Sequence, residues 1–261
     1  MGYHESTTEF VDKITIHDGD NGKVLAELPL ARPQGLAVLG GVLHALHRDG
    51  AGFAVSAAKL TDGLPGAWQR VFTVPPDLHP ADLELDSRGR FYLSDSAANK
   101  VFQLDRAGKI TRTFGRLAAQ RPGAFDPETF IAPGKLATWT APDGGDRLLV
   151  VENGGPNRVT EWSADGKFLR EFLTLQTHAN DGYGFDPANP EHVYLPGQQH
   201  WLTRFRVDYE RRTWTIDAVW PNVGGDPRTG ELDRLQFIRA NGRLYLAGRR
   251  SHDLYRLDGD R

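Results

Sequence analysis

Short apolar runs recur along the chain, each followed by a polar loop and then by a stretch in which apolar and polar residues alternate. Phe91-Tyr92-Leu93, Leu148-Leu149-Val150-Val151, Val193-Tyr194-Leu195 and Leu244-Tyr245-Leu246 are apolar nearly throughout, the pattern of strands buried on both faces. In "TRFRVDY", Phe205, Val207 and Tyr209 share one face while Arg204, Arg206 and Asp208 share the other, the period-two pattern of a half-exposed strand. The stretches "DRAGK", "SADGK", "DGDNGK" and "LDGD" supply the Gly, Asn and Asp that tight hairpins need. No segment keeps a helical apolar period for three turns without Gly or Pro, so the pattern predicts an all-β chain.

The pattern is also repetitive. Units beginning at 41, 89, 146, 191 and 242 each read turn, apolar strand, polar loop, second strand. A further strand start precedes each of them, in "RPQGLAVLG", "HPADLELDSRG", "APGKLATWTAPDGG", "ANDGYGFDPANP" and "DRLQFIRANG". The spacing is about 45 to 57 residues, close to the roughly 40–50 of a four-stranded propeller blade. We therefore expect a flexible N-terminus over 1–10 and a single β-propeller domain of four-stranded antiparallel blades over 11–261. Four units are nearly complete, the fifth ends after a third strand at "DLYRLDGDR", and "KITIHDG" and "KVLAELPL" form an N-terminal pair. That count fits six blades, or a five-bladed or incomplete ring, closed by N- and C-terminal strands so that no sheet edge stays open.

Composition narrows the function. The chain has 261 residues, 31 Lys plus Arg against 34 Asp plus Glu, and a formal charge of −3, which gives no global attraction to nucleic acid. With no cysteine, thiolate catalysis and Cys-ligated zinc are excluded. No apolar run is long enough to cross a bilayer, and "MGYHESTTEF" lacks the features of a signal peptide. We expect a soluble monomer, with its compartment open. No serine elbow, phosphate loop or dinucleotide fingerprint is present.

Residues at equivalent positions of successive blades converge in a propeller, so the units can be compared column by column. The column after the apolar strand contains His47, Asp95 and Glu152. An imidazole and two carboxylates at one height could hold one divalent cation, calcium or zinc. The column at the start of the first strands contains Gln34, Asp82, Lys135, Asn180 with Asp181, and Arg234 with Gln236. It is polar in every unit and predicts a polar ring around a channel, with Tyr183 close by. In the loop "GQQHWL", His200 precedes Trp201, a pairing suited to sugar or peptide contact at the channel mouth.

The units "LSDSAANKVFQLDRAGKITRTFG" and "VVENGGPNRVTEWSADGKFLREF" resemble NHL repeats, in which an apolar strand, an acidic residue, a loop with Asn, a basic residue, a strand and Asp-Gly-Lys follow in order. The resemblance implies a propeller with a ligand-binding mouth, and implies that Asp95 and Glu152 tie loop to strand within their own blades through Asn99 and Asn157. The segment "HANDG" resembles part of the gluconolactonase and senescence-marker lactonase family. Carried over, that likeness puts Asn180 and Asp181 at a substrate site, His178 where that family has arginine, and Gln34 where it has a metal-binding glutamate. Two functions follow as expectations. One is a binding or scaffold protein presenting a polar channel mouth to a peptide, glycan or small-molecule ligand. The other is a metal-dependent hydrolase or lactonase with Asp181 as base, His178 as acid or ligand and Glu152 as ligand.

Overall fold

The computed structural model describes residues 12–153, 158–173, 184–197, 201–220, 236–247 and 254–257. Their regular structure is entirely β-strand. Lys13–His17 (β1) and Val24–Pro29 (β2) pair with each other. Gly35–Leu39 (β3), Val42–Asp49 (β4) and Gly52–Thr61 (β5) then run up and down in one sheet. Leu64–Pro65 (β6) pairs with the last residues of β5, and Gln69–Thr73 (β7) pairs with its middle as the fourth strand.

The same order repeats in Asp82–Leu85 (β8), Phe91–Asp95 (β9), Lys100–Leu104 (β10) and Ile110–Phe114 (β11). After the short Gly123–Ala124 (β12), a third meander comprises Pro133–Thr140 (β13), Asp146–Glu152 (β14), Arg158–Ser163 (β15) and Phe168–Leu173 (β16). A fourth comprises Gly184–Asp186 (β17), Asn189–Gly197 (β18), Trp201–Asp208 (β19) and Thr213–Trp220 (β20), with β12 added beside β20. Gln236–Ala240 (β21), Arg243–Ala247 (β22) and Leu254–Leu257 (β23) form a three-stranded sheet. Successive four-stranded antiparallel meanders are the building unit of a propeller, and the fold is propeller-like.

The hairpins carry the expected turn chemistry. Asp105 Oδ1 accepts the Ala107 and Lys109 amides, and Gly108 adopts φ +79°, a conformation that glycine reaches without a Cβ penalty. The ladder shifts by a residue just before this turn, between Gln103 and Leu104, and at the matching place in the third sheet, between Glu161 and Trp162. Repeating sequence thus gives repeating bulges.

Two compact units are present. The first comprises Met1–Asp95, Val101–Phe114 and Lys135–Leu148; the second comprises Ser96–Lys100, Gly115–Gly134 and Leu149–Arg261. A core of the first gathers Leu46, Val55, Leu83, Phe91, Leu93 and Leu104. A core of the second gathers Val193, Leu195, Phe205, Ile216 and Val219.

β9 is buried at every position. β14 departs from the expected two-sided burial, because its side chains alternate and Val151 is exposed. Tyr209 also departs: it lies one residue beyond β19, exposed, with its hydroxyl donating to the Pro190 carbonyl. The strand ends before the alternation does.

Candidate functional site

In the first unit, the starts of three first strands meet. Gln34 directly precedes β3, Asp82 opens β8, and Lys135 is the third residue of β13. Lys135 Nζ donates to Asp82 Oδ1 at 3.2 Å and to the Gln34 carbonyl at 3.4 Å. The other Asp82 oxygen accepts the Leu136 amide at 2.9 Å. Asp82 is buried, whereas the Lys135 side chain is 66% exposed. Gln34 Oε1 is buried and has no hydrogen-bond partner among the described residues. The cluster therefore offers a solvent-facing ammonium, held by Asp82 and the Gln34 carbonyl, and an acceptor in need of a donor.

This closeness depends on Gly35. A Cβ there would fall inside van der Waals contact of the Leu83 backbone nitrogen, and would lie 2.9 Å from Asp82 Oδ1 and from Leu83 Cβ. Thr138 Oγ1 donates to the Leu85 carbonyl at 2.6 Å, a further link between β13 and β8.

Along the same strands, the residues that alternate with the buried ones form an accessible face. Leu36 and Val38 follow Gln34 at period two and are exposed, as is Trp139, at 40%, four residues after Lys135. Glu84 shares the face of Asp82, half-buried, with Oε1 accepting the Leu85 amide at 2.8 Å. Its carboxyl is raised above the ordinary 4.5, first by burial and also by the Asp82 charge, against the downward pull of the Leu85 amide. Leu36, Val38, Glu84 and Trp139 were not singled out from the sequence. Their signal was present in "GLAVL", "DLEL" and "GKLATWT", where they keep the phase of Gln34, Asp82 and Lys135.

A raised carboxylate pKa means the folded state holds the proton more tightly than the unfolded chain. Its stabilising contribution is full below about pH 4.5 and is lost as pH rises through the raised value. Glu84→Gln should therefore melt higher relative to wild type at about pH 8 than at about pH 4. Thermal unfolding midpoints across that range check this, and a difference independent of pH contradicts it.

The column of His47, Asp95 and Glu152 is engaged within its sheets. His47 Nδ1 donates to the Arg48 carbonyl at 2.8 Å and Nε2 meets the Ser56 hydroxyl at 2.9 Å, so both ring nitrogens are occupied. Asp95 Oδ2 accepts the His79 amide at 2.8 Å, and Glu152 Oε2 accepts the Ile131 amide at 2.8 Å. In each case a carboxylate at the end of a second strand holds the segment that enters its own sheet. Asn99 accepts the Ala132 amide and donates to the Ala118 carbonyl.

Glu152 pairs with the basic residue of the repeat, Arg158, and both side chains are 0% exposed. Arg158 uses all five N–H groups. Nε and Nη2 reach Glu152 Oε1 at 2.9 and 2.6 Å, Nη2 also reaches the Thr129 carbonyl, and Nη1 reaches the Pro127 carbonyl and Glu171 Oε2. The Phe125 ring lies 4.8 Å from the guanidinium carbon. Burial pushes the Glu152 carboxyl up to about 7, while Arg158 and the Ile131 amide pull it down.

Among the described residues, no three His, Asp or Glu side chains are grouped to hold a metal ion. Of the residues in the lactonase-like reading, Glu152 is taken by Arg158. His178, Asn180, Asp181, Tyr183, His200, Arg234 and Asn157 lie outside the described residues. Trp201 opens β19 opposite Gly197, and Gln236 opens β21 opposite Ala247. No helix of the described residues is long and apolar enough to cross a membrane.

No protein-family model matches the chain, and no curated protein does. Solved structures with a similar chain path include a protein from Lactobacillus plantarum, at 15% identity and TM-score 0.41 over 93% of this chain and 73% of that one. They also include a streptogramin B lyase, at 15% and 0.43 over 92% and 70%, and a chain of a nidogen/laminin complex, at 17% and 0.38 over 90% and 79%. At these values the likeness carries no residue role across.

Proposed function

We propose that this propeller-like chain is a binding protein whose first strands present a polar cluster, flanked by apolar side chains, to an extended ligand such as a peptide or glycan. The observation that supports this reading is the convergence of Gln34, Asp82 and Lys135. A ligand hydroxyl or amide can donate to Gln34 Oε1 while an adjacent oxygen accepts from Lys135 Nζ. The free acceptor and the exposed cation would then both be satisfied.

Further along the strands, Leu36, Val38 and Trp139 offer apolar contact. At about 3.3 Å per residue, the stretch from Lys135 to Trp139 suits a chain of several peptide or sugar units better than a single small molecule.

Immobilised peptide and glycan panels test it. Lys135→Ala and Trp139→Ala change exposed side chains and should leave the fold intact, while each weakens capture of the selected ligand by about tenfold. Capture unchanged by either substitution, or no capture from either panel, overturns the reading. The alternative, a metal-dependent hydrolase or lactonase, rests on Asp181 and His178; a protein that retains no divalent ion and leaves lactones intact with added calcium or zinc counts against it.

A further inference from the structure

We propose that the first unit carries a second, independent pocket for a small monocarboxylate with a single-ring or branched apolar body, held by Arg106 and His44. The cavity is about 290 Å³, at the lower end of the range for small-molecule sites and suited to one ring. Leu39, Val42, Val71 and Phe91 form its apolar walls. These side chains come from β3, β4, β7 and β9, and Phe91 belongs to the core of this unit while Leu39 and Val71 pack on it, so the pocket is built on strands.

Two polar groups line it. Arg106 sits in the β10–β11 turn and makes no hydrogen bond or ion pair among the described residues. Its neighbour Asp105 is occupied by the turn's own amides, through Oδ1. The guanidinium lies across Gly89, where a Cβ would stand 3.2 Å from one terminal nitrogen and 3.5 Å from Leu39. Gly89, at φ +74°, therefore both makes the β8–β9 turn and leaves the surface on which Arg106 rests.

The other group is His44, with its ring edge-on to Phe91 at 5.5 Å between centroids. Its Nδ1 is buried and lacks a hydrogen-bond partner. Burial chiefly lowers the imidazole pKa, with the nearby Val42 carbonyl opposing and Arg106 adding to the fall. A neutral imidazole can donate one hydrogen bond to an oxygen.

A cation without an ion-pair partner and a buried nitrogen without a hydrogen-bond partner among the described residues, with apolar walls between them, define the ligand. An anionic oxygen satisfies Arg106, a ring fills the apolar space, and a dianion would leave one charge against apolar walls. The site is separate from the Gln34, Asp82 and Lys135 cluster, so its test is independent of that reading.

Fluorobenzoate followed by fluorine NMR is the probe, with fluorobenzyl alcohol as the neutral control. Saturable binding of the carboxylate is expected, weaker by about tenfold or more in Arg106→Gln, while the alcohol binds weakly and equally to both proteins. Val71→Phe fills the space from the wall and should abolish binding without touching either polar group. Carboxylate binding that is absent in wild type, unchanged in Arg106→Gln or unaffected by Val71→Phe overturns the proposal.

Discussion

Arg158→Met is expected to destabilise the protein by roughly 3–5 kcal/mol at about pH 8, the usual cost of removing one member of a buried ion pair. Methionine fills much of the volume, so the loss is mainly electrostatic. Glu152 would keep its contact with the Ile131 amide but lose the guanidinium that offsets its burial. In the wild type, burial already pushes this carboxyl to about 7 against the pull of Arg158, and without that pull it rises further.

The sign of the pH dependence follows. A carboxyl whose folded pKa lies above its unfolded value loses stabilising free energy as pH rises through the folded value. The penalty of Arg158→Met should therefore be largest at alkaline pH and shrink towards about pH 4.5, where Glu152 is protonated. The residual loss there reflects the bonds to Pro127 and Thr129 and the contact with Phe125. Adding Glu152→Gln to Arg158→Met should recover most of the alkaline loss, because an amide oxygen still accepts from Ile131 and no charge is stranded. Arg158→Lys should fall between wild type and Met, since an ammonium has three N–H donors and cannot reproduce five bonds to four acceptors. Denaturant unfolding at several pH values measures all of this; a loss below about 1 kcal/mol, or one that grows in acid, contradicts the account.

The repeat made the fold legible. Apolar runs such as Phe91-Tyr92-Leu93 became second strands, "DRAGK" became a hairpin turn with Asp105 as its cap, and the unpaired count at the two ends became β1–β2 and the three-stranded C-terminal sheet. Column comparison also brought Gln34, Asp82 and Lys135 together, because equivalent positions of a repeat lie at equivalent places in space.

Other features do not follow from position in a repeat. Asp95 and Glu152 occupy one column, yet the residue after the loop asparagine differs. Lys100 donates to the Gly115 carbonyl, whereas Arg158 reaches back to Glu152. Arg106 read only as part of a turn, and His44 was not singled out. Their meeting around one cavity joins segments separated by tens of residues, which no local pattern encodes.

Gly35→Ala has the second large effect, and it links stability to the candidate site. The substitution should stabilise by roughly 0.4–1 kcal/mol through the unfolded chain, but overpacking costs roughly 1–3 kcal/mol or more. The repulsion wins here, because the new methyl meets the Leu83 backbone nitrogen rather than the end of a flexible side chain. β3 cannot simply retreat, since Gly35 is paired with Leu46 and the Gln34 amide donates to the Leu46 carbonyl. Either β8 moves away or the β3–β4 ladder opens. Each outcome displaces Asp82 from Gln34 and takes an anchor from Lys135. Gly52→Ala is the control, because its added Cβ would meet nothing closer than the Asp49 carbonyl at 4.0 Å. We expect Gly35→Ala to lower the unfolding midpoint and to weaken capture of a panel-selected ligand more than Lys135→Ala does, with Gly52→Ala close to wild type in both. A Gly35→Ala protein that melts like wild type would mean that the strands have room to part; one that melts lower but captures normally would separate the cluster from binding.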